Sequence, residues 1–163
     1  GDVLVAFPSS GFHSNGYSLL RKVFADDLES WQEELLKPTR LYHSLIADLR
    51  KNIEIHALAH ITGGGMDNIL RVLPEGHAVE LQAWRLPNPF LEVKKRAEMS
   101  WPSLLTTLNC GVGLVMYLKS AEFAKLTHLC QQKNYEFWPL GKVVKAPQKV
   151  WQLNFSEMEE LQK

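Results

Sequence analysis

Two kinds of hydrophobic run alternate along this chain. Short continuous or β-branched runs read as strands: Val3-Leu4-Val5-Ala6-Phe7, halted by Pro8, then Ile53 to Ile61, Ala78 to Ala83 and Gly113 to Leu118. Tyr135 to Val144 is extended but interrupted by Pro139 and Gly141, and Trp151 to Phe155 reads as a last short strand. Between them, apolar residues recur every three or four positions, as one buried helix face requires. Leu20, Val23, Phe24, Leu28, Trp31 and Leu35 predict one helix from Gly16 or Tyr17 towards the stop at Pro38. Thr39 is placed to cap a second helix that buries Leu41, Leu45 and Leu49, with Ile46 beside them. A short helix is expected over Asp67 to Leu73, closed by Pro74, and another over Phe90 to Ala97, limited by Pro87, Pro89 and Pro102. Leu104 to Leu108 adds a helical turn, Ser120 caps a helix with Phe123, Leu126, Thr127 and Cys130 on its core face, and Ser156 starts a short terminal helix.

Strands alternating with helices, with no internal repeat, low-complexity tract or linker, predict an α/β fold whose mixed sheet carries helices on at least one face. At 163 residues and 18.6 kDa this is one domain, able to bury about two thirds of its unfolded surface. Eighteen Lys and Arg balance eighteen Asp and Glu, which argues against a nucleic-acid binder while leaving room for a local anion site. Cys110 and Cys130 are too few for a disulfide framework or a four-ligand zinc site and read as reduced thiols of a cytoplasmic protein. No apolar stretch approaches the ~20 residues of a membrane span, so no membrane partner is expected. The chain shows no signal peptide and starts, without Met, almost inside a strand, which suggests a fragment or the distal half of a larger protein.

Three segments carry candidate chemistry. Ser9 to Gly16 joins a strand to a helix, where free N–H groups and the positive dipole end favour an anion; the plainer reading is a serine-capped helix with an exposed His13. Thr62-Gly63-Gly64-Gly65 lies between strand and helix in a phosphate-cradle layout, or is a flexible turn; no Lys-Ser or Lys-Thr follows to make a Walker loop. Asn109-Cys110-Gly111-Val112-Gly113 precedes a strand, with Cys110 either a nucleophile or a small buried residue. Among the six histidines, His56 and His60 are expected on one face of a strand about 13 Å apart, too far for one metal ion. No histidine–carboxylate group has zinc spacing, so no metal site is expected.

Taken in order, these segments resemble a family. Ser9 to Lys22 is similar to the S-S-G-x-H-S-N-G-x-S-L-x-R-K signature of aminoimidazole ribonucleotide synthetase, the phosphoribosylformylglycinamidine cyclo-ligase of purine biosynthesis. Leu36 to Tyr42 resembles L-x-P-T-R-x-Y, Ala59 to Gly65 A-H-I-T-G-G-G, Asn68 to Pro74 N-I-P-R-V-L-P, and Asn109 to Gly113 N-C-G-[VI]-G. Trp138 with Gly141 fits W-x-x-G, so the resemblance runs to about Val144. Leu70 replaces a family proline, the glycine loop is one residue shorter before Asp67, and Ser103 to Leu108 stands where the family has E-M-x-R-T-F.

The resemblance implies the second, C-terminal domain of a two-domain enzyme, a three-layer α/β/α sandwich that is partly ferredoxin-like. The first domain, which carries the ATP and Mg2+ motifs and most of a homodimer interface, has no counterpart here, so this chain alone is expected to be inactive. The implied reaction is ATP-dependent ring closure. The amide oxygen of formylglycinamidine ribonucleotide is phosphorylated to an iminophosphate; a nitrogen of the same molecule attacks that carbon, and phosphate leaves. On this reading His13 transfers a proton or touches phosphate, and Ser9, Ser10, Gly11, Ser14 and Asn15 wall a cleft facing the first domain. Thr62, Gly63, Gly64 and Gly65 hold a phosphate through backbone N–H groups, and Asn109 contributes a further contact. Thr106 stands where the family has arginine and takes no role. Two other readings stand beside this one: another ATP-dependent enzyme of the superfamily, or a binding or regulatory module that kept the fold without turnover.

Overall fold

In the computed structural model, which describes all 163 residues, the strands are β1 (Asp2–Pro8), β2 (Ile55–His60), β3 (His77–Leu81), β4 (Val112–Lys119), β5 (Trp138–Lys145) and β6 (Trp151–Gln152). The α-helices are α1 (Tyr17–Val23), α2 (Leu28–Leu35), α3 (His43–Leu49), α4 (Asn88–Arg96), α5 (Trp101–Thr107), α6 (Phe123–Lys133) and α7 (Phe155–Leu161). Short 3-10 segments cover Ala25–Asp27, Gly65–Val72 and Ser120–Glu122. The strands form one sheet in the order β2-β4-β1-β5-β3-β6, antiparallel except for the β3–β6 pair. The sheet is therefore mixed, as expected.

Alternation along the central strands sorts the interior into two cores. Leu4, Ala6, Val115 and Tyr117 face one side, under α1, α2, α4, α5 and α7, in a cluster of 27 buried residues. Val5, Phe7, Leu114, Met116 and Leu118 face the other, under α3 and α6, in a cluster of 11. These are the three layers. The β2-β4-β1-β5 half, with α3 and α6 crossing its smaller-core face, has the ferredoxin-like strand order.

Several boundaries differ from the sequence expectation. The helix expected up to Pro38 breaks at Phe24–Asp27, where Asp27 leaves helical geometry (φ −140°, ψ 32°) and binds Arg96 of α4 through both carboxylate oxygens at 2.6 and 2.9 Å. The break turns Trp31 onto Phe24, with ring centroids 4.3 Å apart, and the Arg96 guanidinium lies over both rings. Thr39 caps nothing: α3 starts four residues later, Tyr42 takes the buried position, and Leu41 is 76% exposed. Ser120 makes no side-chain cap either, because a 3-10 turn precedes α6. Pro89 falls inside the first turn of α4, where a missing N–H costs nothing, and α5 makes two turns behind a Ser100 cap. The last strand stops at Gln152, and Asn154, not Ser156, caps α7 by accepting from the Ser156 and Glu157 amides. Finally, β2 carries a bulge between Ile55 and Ala57, so His56 and His60 do not share a face. His56 pairs with Asp2 at 2.6 Å, while His60 sits against His13 and Tyr42 on the other side.

No helix is long and apolar enough to cross a membrane.

Candidate functional site

β1 and β2 both pair antiparallel with β4, which lies between them, so they run in the same direction and release their following loops at one end of the sheet. These loops are the two segments singled out above, Ser9–Gly16 and Thr62–Gly65. Strand β4 begins at the same end, where Gly113 accepts from the Ile61 amide and Gly111 from the Ser9 amide.

The first loop is held from below by Asn109. Its carboxamide oxygen accepts from Ser9 Oγ (3.1 Å) and the Gly111 amide (2.9 Å), and its nitrogen donates to the Gly11 carbonyl (2.9 Å). At 1% exposure, with both ends of the amide bonded, Asn109 is a clamp on the loop and offers no atom to a ligand, contrary to expectation. From the side, the Pro38–Tyr42 strap is tied on: Ser10 Oγ donates to the Pro38 carbonyl (2.5 Å), Ser14 and Thr39 share a hydroxyl bond (3.1 Å), and Tyr42 Oη donates to the Pro8 carbonyl (2.8 Å). The Gly11 carbonyl and the three serine hydroxyls are thus engaged, while the amides from Gly11 to Ser18 donate to no protein acceptor.

The second loop is tightened from within. Asn68 donates to the Gly65 carbonyl (2.6 Å) and accepts from Thr62 Oγ1 (3.2 Å), while the Gly65 amide returns to the Thr62 carbonyl. Gly65 must be glycine: its φ is +51°, and a Cβ there would lie 2.0 Å from the Leu105 carbonyl oxygen. The amides of Gly63 and Gly64 remain without acceptors. The loops lie beside each other: Asn15 Oδ1 is 3.5 Å from where a Cβ on Gly63 would be, and an Arg71 guanidinium nitrogen is 3.8 Å from the corresponding point on Gly64.

Two guanidinium groups flank this end. Arg71 is exposed and in no ion pair. Arg40 is half-buried, donates to the Pro8 carbonyl (3.3 Å), lies over the Tyr42 ring, and has no carboxylate partner. Glu34, beside Gly11, is neutralised by Lys37 at 2.5 Å. Beyond Ser14, an open groove of 500 Å³ runs between His13, Tyr17, Leu35 and Thr39. A larger cavity of 640 Å³ lies elsewhere, between Asp2, His56, His77 and Tyr117. Its His56 is already paired with Asp2.

His13 departs most from expectation. It is 3% exposed, not a surface histidine, with Nε2 accepting from the Ser10 amide (3.1 Å) and facing the Arg40 amide (3.4 Å). Burial, then His60 and Arg40 nearby, push its pKa down to about 4. The ring is therefore neutral near pH 7, with Nδ1 buried and Nε2 engaged by backbone amides. Cys110 is fully buried at φ +51°, and burial pushes its thiol well above the usual range, so the nucleophile reading fails. Thr106 spends its hydroxyl on the Pro102 and Ser103 carbonyls of its own helix.

The strap residues Arg40 and Tyr42, with Asn68 and Arg71, frame the two loops without standing out by local chemistry in the sequence. All four lie inside the family-like motifs quoted above, and that membership was the available signal.

Residues 1–153 match the family described as AIR synthase related protein, C-terminal domain. The phosphoribosylformylglycinamidine cyclo-ligases of two Desulfitobacterium hafniense strains, DSM 10664 / DCB-2 and Y51, are each 37% identical to it over 155 residues, 88% of this chain. The chain spans 46% of the length of these relatives. Among solved structures, Escherichia coli HypE, a hydrogenase maturation protein, superposes with a TM-score of 0.64 at 19% identity, over 94% of this chain and 46% of its own. Thiamine-monophosphate kinase from Stenotrophomonas maltophilia K279a gives 0.59 at 15% identity, over 93% and 50%. At these identities the two structures share the fold.

Proposed function

The chain belongs to the AIR synthase related C-terminal domain family, and from that premise we propose that it is the C-terminal half of a phosphoribosylformylglycinamidine cyclo-ligase, closing the ring of formylglycinamidine ribonucleotide at the expense of ATP. The observation that supports this is the sheet end itself: two adjacent loops whose Gly11–Ser18 and Gly63–Gly64 amides lack acceptors, flanked by Arg40 and Arg71 in no ion pair. Ring closure moves negative charge between ATP and a substrate oxygen, and fixed N–H donors and guanidinium groups stabilise such charge without reorganising. On this reading Gly63, Gly64, Arg71 and Asn15 hold one anionic group. The amides following Ser10 and Gly11 hold the second, with the Ser9, Ser10 and Ser14 hydroxyls fixing the loop rather than the ligand.

No three His, Cys, Asp or Glu side chains converge on a point that would suit a metal ion. We assign ATP with its magnesium, and most of the homodimer contact, to the complementary N-terminal half, and a cytoplasmic setting to the whole protein.

The test is complementation. The purified chain alone should release no phosphate from ATP with formylglycinamidine ribonucleotide. Mixing it with the N-terminal half of a Desulfitobacterium hafniense cyclo-ligase should restore ring closure, and Arg71→Ala should lower the restored rate at least tenfold. Turnover by the chain alone would overturn the reading, as would binding of formylglycinamidine ribonucleotide without restored activity, the outcome expected of a module that has lost catalysis. Thr106, which offers no cation beside Asn109, is the feature that keeps that second reading in view.

A further inference from the structure

We infer that His13 is a positioning residue: a neutral imidazole that staples the Ser9–Gly16 loop to the Pro38–Tyr42 strap and so aims the loop's free amides, without exchanging a proton. The inference rests on the anion-holding reading of those amides. Three observations carry it.

First, the geometry of Nε2. It accepts the Ser10 amide at 3.1 Å and faces the Arg40 amide at 3.4 Å, so one lone pair ties the turn to the strap. A nitrogen facing two N–H donors does not itself carry a proton, which leaves the proton on Nδ1. Second, Nδ1 is buried and has no acceptor. His13 holds this ring at φ +57°, a left-handed backbone that turns the side chain inward under its own loop. Third, the surroundings oppose a charged ring. Arg40 comes from the strap, His60 from the end of β2 with its ring 6.3 Å away, and Tyr42 from the strap with its hydroxyl committed to Pro8. Gly113 of β4 lies against Cε1, and none of these neighbours is a carboxylate. Protonating Nε2 would set a third N–H against two others and a guanidinium. Of the side-chain ties between loop and strap, those of Ser10 and Ser14 are exposed to water, and the His13 tie is better shielded.

Long-range 1H–15N NMR on the chain tests this without any ligand. His13 should show a protonated Nδ1 and an unprotonated Nε2 from pH 8 to pH 5.5, with no titration in that interval. Two variants separate stapling from proton transfer. His13→Asn suits the left-handed backbone but is too short to reach Ser10, whereas His13→Gln keeps an acceptor at comparable reach. Exchange of the Ser10 and Arg40 amides should rise about tenfold in H13N, the worth of one hydrogen bond, and stay within about twofold of wild type in H13Q. A His13 that titrates near pH 6.5, or carries its proton on Nε2, overturns the inference; so does unchanged amide exchange in H13N. If H13Q fails to fold, the wild-type tautomer decides. Calorimetry with inorganic pyrophosphate is a separate readout: absence of binding by the wild-type chain would count against the anion reading while leaving the staple to the NMR result.

Discussion

Gly113 has room for no side chain at all. A Cβ there would fall 1.7 Å from Tyr42 Oη and 3.0 Å from His13 Cε1, so strap, loop and β4 are in contact through a bare backbone. Gly113→Ala should cost about 1–3 kcal/mol, the range for overpacking a filled interior, read from urea unfolding. The same crowding governs the response to pH. Unfolded His13 takes up a proton below about pH 6.5, whereas the folded ring resists until about pH 4. Between those values the unfolded chain binds more protons, so stability falls as pH drops through that interval; above it both states are neutral and the group contributes nothing. Denaturant midpoints at pH 7, 5.5 and 4.5 should therefore fall further for wild type than for H13Q, which has no group to titrate there. Cys110 is expected to resist iodoacetamide in the folded chain and to react only on unfolding.

At the scale of elements, caps and breaks are where pattern and structure part. Asn154→Ala should cost about 1 kcal/mol through loss of its bonds to two α7 amides, whereas Ser156→Ala should change stability by less than about 0.5 kcal/mol. Thermal unfolding of the pair distinguishes the observed cap from the one that composition suggests. The core strands and the helix faces at Leu20, Leu45, Leu126 and Cys130 were legible because burial imposes period on sequence. The break after Val23 was not, because its cause is a contact 69 residues away, between Asp27 and Arg96, that leaves the local apolar spacing intact. Tyr42 was likewise hidden: Leu41 is equally apolar, and only the hydroxyl's reach to Pro8 decides which of the two turns inward. The loops could be read because adjacent glycines are costly in ordered structure unless the backbone needs them, and because serines gather where a strand turns into a helix. The roles of Asn109 and His13 could not, since the same side chain serves equally as ligand or as clamp until its neighbours are known.

For the molecule as a whole, the sheet divides two cores that share no residue. Leu104→Ala on one side and Leu126→Ala on the other should each cost about 2–5 kcal/mol, and the double variant should sum to within about 0.5 kcal/mol in the same urea measurement. A markedly smaller sum would mean that the layers are mechanically coupled through β4. That strand has a second consequence. It spaces β1 from β2 by two strand widths, about 10 Å, so the two loops begin a fixed distance apart whatever their own sequences. The reach of Asn15 across to Gly63 narrows the opening. Strand β4 thus acts as a gauge block and Asn15 as its adjustable jaw: trimming that one carboxamide would widen the mouth to admit bulkier occupants while every strand stayed in register.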